Sequence, residues 1–206
     1  MNAVERSSET GVLGSFHVRE AAAKPFPYFL VDDVLEREHA DSLLAWLESY
    51  RWWELVHANF YDQYEFEVCN TERCSDMPEE CKPLFTQAVL GELAALVGEH
   101  LGTERCLISK VVAHMLKPGQ GIGIHDDVKG NGPPTFRFVL QFNRSHDDRD
   151  GGHLGLFVGH DLDRVIRIVR PLHNTGCAFA IGPASQHAVS DVRRGNRYTL
   201  VYTFTA

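Results

Sequence analysis

A histidine and an aspartate separated by one residue, in the segment His125-Asp126-Asp127, are of the types and spacing that suggest metal chemistry. They follow a β-prone run, and side chains two residues apart on a strand point to the same side. His125 and Asp127 would then face one way and Asp126 the other. One imidazole and one carboxylate on one face are two of the three ligands of a 2-His-1-carboxylate iron site, which leaves metal positions open. The alternative for so short a motif is an exposed acidic loop.

The elements that must position this pair change in character near residue 106. Before it, apolar residues recur with helical spacing in two segments, 36–50 and 82–101, with an irregular aromatic segment over 57–82 between them. Beyond it, β-prone runs follow one another with turn residues in the gaps, at 107–116, 136–143, 153–158, 164–170, 176–181 and 197–205.

This order of elements predicts an α+β, mainly β, fold. We expect a double-stranded β-helix, or jelly-roll barrel, with the N-terminal helices packed on one sheet, because no helical segment separates the strands. We also expect one domain over residues 25–206, preceded by a loose polar tail over residues 1–24.

Five short motifs occur in order between residues 107 and 205. They are Leu116-Lys117-Pro118-Gly119-Gln120, Arg137 to Asn143, Gly151-Gly152-His153-Leu154-Gly155-Leu156-Phe157, Gly182 to Val192, and Gly195-Asn196-Arg197-Tyr198-Thr199. Their order and spacing resemble the prolyl-4-hydroxylase-like branch of the Fe(II)/2-oxoglutarate-dependent dioxygenases. In that family a PGQ turn leads into H-x-D, a Gly-Gly signature follows, and a distal histidine precedes a G-x-R-x-S/T stretch.

The resemblance implies a third metal ligand and an anchor for the co-substrate. His187 would complete the Fe(II) site begun by the H-x-D pair, and Arg197 with Thr199 would hold 2-oxoglutarate. The alternation of the last predicted strand agrees, because Arg197 and Thr199 share its interior face. A buried arginine is unfavourable without an anion, and the distal carboxylate of 2-oxoglutarate supplies one. The alternative is a rim arginine paired with Asp191.

The resemblance also implies the reaction. Fe(II), 2-oxoglutarate and O₂ would hydroxylate a C–H bond, with release of succinate and CO₂. Halogenases of the family replace the carboxylate ligand by a small residue, so Asp127 favours hydroxylation, or a related desaturation or cyclisation. Many prolyl hydroxylases have a tyrosine in the place of Leu116, so we do not assume proline as substrate. We expect an amino-acid side chain that is free, in a peptide or on a carrier.

Three residues are candidates for substrate contacts. Arg137 and Gln141 lie opposite the phenylalanines of their predicted strand, so they point into the cavity if those phenylalanines pack on the helices. A salt-bridged arginine at the sheet edge is the alternative for Arg137. Tyr61 would contact substrate if its aromatic segment folds over the barrel mouth, and would otherwise pack against Trp52 and Trp53.

The other histidines of the barrel carry no predicted role at the metal. His114 could face the cavity, but a structural position on the sheet is the alternative that we favour. We expect His146 in an exposed loop, and His153, His160 and His173 as structural or solvated residues.

Composition restricts the functional classes. A formal net charge of −8 without a basic stripe disfavours nucleic acid as a partner. No run approaches the roughly 18 apolar residues of a membrane span, and the start does not read as a signal peptide, so we expect a cytoplasmic protein. Five cysteines, an odd number, predict free thiols, although Cys69, Cys74 and Cys81 leave a zinc site as an alternative.

Two non-catalytic hypotheses stand beside the oxygenase. One is a jelly-roll metal-binding or sensor protein that keeps the three ligands without turnover, and the other is a barrel that needs no metal. Arg197 with Thr199 favours the oxygenase, because a metal binder has no need of an inward anion clamp. The expected partner is a small-molecule or peptide substrate, and the oligomeric state is not predicted.

Overall fold

The computed structural model describes residues 10–68, 74–128, 132–159 and 163–206. Two helices, α1 (Arg37–Ser49) and α2 (Gln87–Leu101), lie in its first half. Its strands are β1 (His17–Ala22), β2 (Tyr28–Asp32), β3 (Glu54–Ala58), β4 (Tyr61–Glu67), β5 (Leu107–Leu116), β6 (Ile122–His125), β7 (Thr135–Phe142), β8 (Leu154–Val158), β9 (Val165–Val169), β10 (Thr175–Ile181), β11 (Ser185–Val189) and β12 (Arg197–Thr205).

The strands form one curled antiparallel sheet. Its order is β1-β2-β10-β7-β12-β5-β4-β6-β11-β8-β9, and β3 pairs with β4. The central strand β12 pairs with β5 on one side and β7 on the other, and β11 lies between β6 and β8. The predicted mainly β jelly roll with helices before the barrel is confirmed.

The helices cover the outer face of the sheet. The apolar residues of α1 recur three and four apart, at Ala40, Leu43, Leu44 and Leu47, and all are buried. They belong to the same core cluster as the buried side of α2 and one face of β7. That face of β7 consists of Phe136, Phe138, Leu140 and Phe142. Because this face of β7 is used by the outer core, the alternate residues Arg137 and Gln141 point to the barrel interior.

A second apolar cluster fills one end of the barrel interior. It includes Leu30, Leu116, Leu156 and Cys177, whose side chains are at most 1% exposed. The barrel interior also contains a cavity. Leu154, Phe179 and Val189 belong to the same cluster and line this cavity. The cluster therefore forms the floor of that cavity.

The N-terminal segment is not a loose tail over residues 10–24. β1 pairs with β2, and Leu13 forms an isolated β-bridge with Leu35. The apolar residues Val12, Leu13 and Phe16 are buried in the outer core. Residues 1–9 lie outside the described residues. The boundary expected at residue 24 therefore does not separate a tail from the domain.

Segment 57–82 is also more regular than predicted. Its first part belongs to the β3–β4 hairpin, and β4 pairs with β5. The sequence of β4 is YDQYEFE. Because strands generally contain few acidic residues, this composition does not predict a strand. The helix expected over 82–101 begins as a 3-10 turn at Lys82–Phe85 and continues as α2, because Thr86 caps α2 by accepting a hydrogen bond from the Val89 N–H.

The described cysteines Cys74, Cys81, Cys106 and Cys177 are free thiols. Cys69 lies outside the described residues, and Cys74 and Cys81 belong to no group of metal ligands in the described chain. Among the described helices, none is long and apolar enough to cross a membrane.

Candidate active site

His125, Asp127 and His187 converge on one point at the inner face of the barrel. His125 in β6 and His187 in β11 are directly paired across the two strands, and their ring centroids are 4.1 Å apart. The ligand atoms of the three side chains all lie within 4.8 Å of one another. Asp127 Oδ1 is 3.5 Å from His125 Nε2, and Asp127 Oδ2 is 3.6 Å from His187 Nε2.

Asp127 reaches this point by a different route from the one that strand alternation predicts. β6 ends at His125, and Asp127 lies beyond it with a φ of 59°. A left-handed turn residue, tolerated by aspartate, therefore brings the carboxylate back to the histidines. Asp126 points away, as expected: its carboxylate accepts from the Val128 N–H and from the Gln186 side chain.

The two imidazoles are oriented for metal binding. His125 Nδ1 lies 2.9 Å from the Gly123 carbonyl oxygen, and His187 Nδ1 lies 3.4 Å from that of Ser185. An Nδ1–H that donates to a carbonyl leaves the Nε2 lone pair for a metal. The Phe60 ring stacks on His125 at 4.4 Å between centroids, and burial lowers the pKa of His125, with a further contribution from His187.

Arg137 holds the carboxylate of Asp127. Its Nε donates to Asp127 Oδ2 at 2.9 Å, and its Nη1 donates to the Thr203 hydroxyl. Burial alone would raise the pKa of Asp127, but the contact with His187 and the charge of Arg137 lower it below its ordinary value. Asp127 is therefore ionised at neutral pH, as a metal ligand must be. Arg137 lines the cavity, and its salt bridge is made there rather than at a sheet edge.

Arg197 lies inside the barrel rather than at its rim. It is 5% exposed, and burial lowers the pKa of its guanidinium to about 10. No carboxylate of the described residues, Asp191 included, forms an ion pair with it. Its Nε and the Thr199 hydroxyl are buried without a hydrogen-bond partner. An unpaired cation beside an unsatisfied hydroxyl fits a carboxylate ligand such as the distal end of 2-oxoglutarate.

Gln141 supports this arginine. Its side chain is fully buried and its Oε1 accepts a hydrogen bond from Arg197 Nη2 at 3.3 Å. Gln141 faces inward as expected but is not part of the cavity surface, so its position suits the co-substrate anchor better than a substrate contact. Leu116, directly opposite Arg197 across β5 and β12, is buried in the floor cluster.

The metal-ligating group and Arg197 open into one cavity of about 1030 Å³. Tyr61 lines this cavity and does not pack against the two tryptophans. Trp53 instead packs on Phe66 and Tyr50, and the side chain of Trp52 is 68% exposed. Four polar residues form the cavity wall beside Tyr61, namely Gln63, Glu65, Lys110 and His114. The sequence analysis considered only His114 as a residue that could face the cavity. The period-two alternation of β5 places Lys110, Val112 and His114 on one face and could have identified part of this wall.

His114 faces the cavity, against the structural position that we favoured. Burial lowers its pKa to about 3, and the nearby charges of Arg197 and Arg137 add to this shift. Its imidazole is therefore neutral at physiological pH. His114 Nε2 lies 3.7 Å from Glu65 Oε2, too far for a hydrogen bond. This histidine remains available as a donor to a ligand in the cavity.

The donor set suits Fe(II). Two imidazoles and one carboxylate form the set that leaves open positions for a bidentate 2-oxo acid and O₂. The unsatisfied Arg197 and Thr199 atoms provide the charge and hydrogen bonds that the far carboxylate of this acid requires.

Comparisons with known proteins agree with this chemistry. Residues 110–205 match the family model of the 2OG-Fe(II) oxygenase superfamily. The comparison with curated protein sequences gave no match.

The solved structures with a similar fold include three prolyl hydroxylases. A prolyl-4-hydroxylase from Pseudomonas putida is 20% identical with a TM-score of 0.61, and the match covers 81% of this chain and 86% of that one. A Trichoplax adhaerens prolyl hydroxylase in complex with a peptide fragment of the hypoxia inducible factor oxygen degradation domain is 13% identical with a TM-score of 0.65, and 86% and 83% of the two chains are covered. The viral collagen prolyl hydroxylase of Paramecium Bursaria Chlorella virus-1, in complex with 2OG, is 14% identical with a TM-score of 0.57, and 87% and 96% are covered.

The matched segment contains the three converging side chains and the buried arginine with its threonine. Residues 110–205 therefore carry a 2OG-Fe(II) oxygenase domain, and the enzymes of that superfamily use Fe(II), 2-oxoglutarate and O₂.

Proposed function

We propose that this dioxygenase hydroxylates an unactivated C–H bond of an amino-acid side chain, free, in a peptide or on a carrier protein, and releases succinate and CO₂. One observation carries the proposal. The three metal-ligating side chains and the unpaired, buried Arg197 open into the same cavity. A site that only stored or sensed a metal would have no use for a desolvated cation beside it.

Each residue of the site has a task in this reaction. His125, Asp127 and His187 hold Fe(II), which with O₂ and 2-oxoglutarate supplies the oxidation of the C–H bond. Arg197 and Thr199 bind the distal carboxylate of 2-oxoglutarate and so fix its orientation. Arg137 keeps the carboxylate of Asp127 in place, and the floor cluster excludes water beneath the site.

The substrate class rests on the shape and lining of the cavity. Its volume is at the upper end of the roughly 300–1,000 Å³ usual for small-molecule sites, so a side chain can enter beside the co-substrate. Tyr61, Gln63 and Glu65 offer an aromatic surface and polar groups on the β4 wall. The similar Trichoplax enzyme is bound to a peptide, which supports a peptide among the candidate substrates.

The first experiment is an anaerobic titration with Fe(II) and 2-oxoglutarate. We expect the weak visible charge-transfer band of the iron chelate in the wild-type chain and its loss in Asp127→Ala. A folded wild-type protein that never develops the band would contradict the proposal. Admission of O₂ with a panel of amino acids and peptides, read as succinate formation and substrate mass increase, then identifies the substrate. Asp127→Ala is the control without turnover.

A further inference from the structure

A second group of metal-ligating side chains lies in the connection between β7 and β8. His146, Asp148 and His153 present three ligand atoms within 4.8 Å of one another. None of the three residues lines the active-site cavity. Sequence analysis treated the two histidines as unrelated loop and structural residues, but the turn between them brings their rings to 5.0 Å between centroids.

The separations of the ligand atoms fit a shared metal better than hydrogen bonds. His146 Nε2 is 3.4 Å from His153 Nε2, which is 3.5 Å from Asp148 Oδ1. Good hydrogen bonds from nitrogen are about 2.7–3.2 Å long. Two ligands of a tetrahedral zinc ion, with bonds of about 2.0–2.2 Å, lie about 3.3–3.6 Å apart. The corresponding separations at the iron-binding residues are 3.5 and 3.6 Å.

The surrounding residues hold this group in place. A 3-10 turn at Asp148–Asp150 is fixed by a capping box between Asp147 and Asp150. Arg170 Nε donates to Asp148 Oδ1 at 2.8 Å and so orients the oxygen nearest His153, which keeps a second lone pair for a metal. The backbone N–H of His153 donates to the Ser190 hydroxyl at 3.0 Å. A hydrogen bond that orients a ligating carboxylate, such as the one from Arg170, is typical of metal sites.

The group lies on the segment that backs the co-substrate anchor. Gly152, next to His153, approaches Arg197 so closely that a Cβ at this position would be 3.0 Å from Arg197 Cδ. We propose that His146, Asp148 and His153 bind a divalent transition metal of the zinc type, with water as the fourth ligand. This metal fixes residues 146–153 against the back of Arg197. Imidazole and carboxylate ligands suit Zn²⁺ and the similar ion Co²⁺.

The test uses the full chain with its iron ligands removed, so that its result does not depend on the proposed oxygenase activity. We expect the Asp127→Ala/His187→Ala variant to bind one equivalent of Co²⁺ with the strong visible absorption of four-coordinate cobalt, and to unfold at higher temperature with the ion bound. Further replacement of His146 and His153 by Ala should abolish both effects. Absence of Co²⁺ binding in the first variant, or equal binding in the second, would overturn the proposal.

Milder variants keep the test valid if multiple replacements unfold the chain. In the chain with its iron ligands intact, His153→Ala should reduce bound Zn²⁺ from two equivalents to one. Asp148→Asn changes a side chain that is 70% exposed. Because loss of a residue that merely supports a ligand costs about 10- to 100-fold in metal affinity, it should weaken this site at least about tenfold. His57→Asn, which alters an exposed histidine paired with Asp62, is the matched control and should leave both sites unchanged. Equal affinities in the Asp148 and His57 variants would refute the assignment.

Discussion

Arg197 shows how one residue can indicate the missing half of a site. The guanidinium of Arg197 is buried inside the barrel and largely desolvated. This burial lowers the pKa of Arg197 to about 10. One hydrogen bond to Gln141 does not offset the loss, and Nε remains unsatisfied. A buried polar group without a partner typically costs about 1–3 kcal/mol, and more if it is charged. An anionic co-substrate bound at Arg197, as we propose, would recover this energy.

We therefore expect Arg197→Gln to raise the KM for 2-oxoglutarate about a hundredfold or more. Hydrogen bonds to charged groups contribute about 1.5–3 kcal/mol each, and two of them are lost. Fe(II) affinity, measured without 2-oxoglutarate, should be nearly unchanged, because Arg197 is not in contact with the metal ligands. Thr205→Val, at the other end of the same strand face, is the control. An unchanged KM would show that the co-substrate is bound elsewhere.

Arg137 offers a separate prediction at the metal. Arg137→Gln removes the Nε–H that holds Asp127 Oδ2, so the carboxylate gains freedom to turn away from the histidines. Fe(II) affinity should fall about 10- to 100-fold, as for other residues that orient metal ligands. Equilibrium Fe(II) titration of the variant measures this. A primary effect on the KM for 2-oxoglutarate, with iron affinity retained, would instead assign Arg137 to ligand binding.

At the scale of elements, strands with a clear alternation could be predicted and irregular ones could not. β5, β7 and β12 each carry a run of apolar residues on one face, and this alternation predicts their first and last residues to within one position. β6 (IGIH) and β11 (SQHAV) are short and contain Gly, Ser, Gln and His, which give little β signal. These two strands carry the histidine pair, so only the motif order of the family could bring in His187.

Backbone conformation accounts for the rest of what sequence analysis missed at the site. Asp127 adopts a left-handed φ that no periodicity indicates, and the His146–His153 contact depends on the capped turn between them. The N-terminal strand was hidden by the polar character of residues 1–24, although Val12, Leu13 and Phe16 lie in the core. Positions set by turns and long-range contacts therefore needed the three-dimensional structure.

The Gly-Gly segment gives a prediction for the connection between β7 and β8. Gly152 has a φ of 70° and would place a Cβ against Arg197, whereas Gly159 has a φ of 66° and open space around it. Alanine at either position incurs the left-handed strain of about 1–2 kcal/mol. Only Gly152→Ala should also displace Arg197. Since an off-rotamer side chain costs about 0.5–1.5 kcal/mol, its KM for 2-oxoglutarate should rise about two- to tenfold.

Comparison of the two variants separates contact from strain. Thermal unfolding should show a loss of stability from left-handed strain in both variants, somewhat larger in Gly152→Ala, and the KM should change only in Gly152→Ala. Equal KM values would mean that Arg197 moves aside without consequence for the co-substrate.

At the scale of the whole molecule, the curled sheet separates an apolar outer face from a polar inner one. The outer face, the two helices and the N-terminal segment form the larger core, and the inner face holds the floor cluster and the reactive residues. Arg137 and Arg197 are positioned by β7 and β12, whose other faces are fixed in that core. The N-terminal residues thereby contribute to the rigidity of the site without contacting it.

The outer core yields a prediction about the extent of the domain. Leu13 is 2% exposed and bridges Leu35, and the Val12 carbonyl oxygen beside it accepts from the Glu36 N–H at 2.9 Å. Leu13→Ala should lower the free energy of unfolding by about 2–5 kcal/mol, as expected for loss of a buried leucine side chain. Urea denaturation measures the change, and His17→Ala, at an exposed position of β1, is the control. If both variants were as stable as the wild type, the segment before residue 25 would not belong to the folded core, and the boundary expected from its polar composition would hold after all.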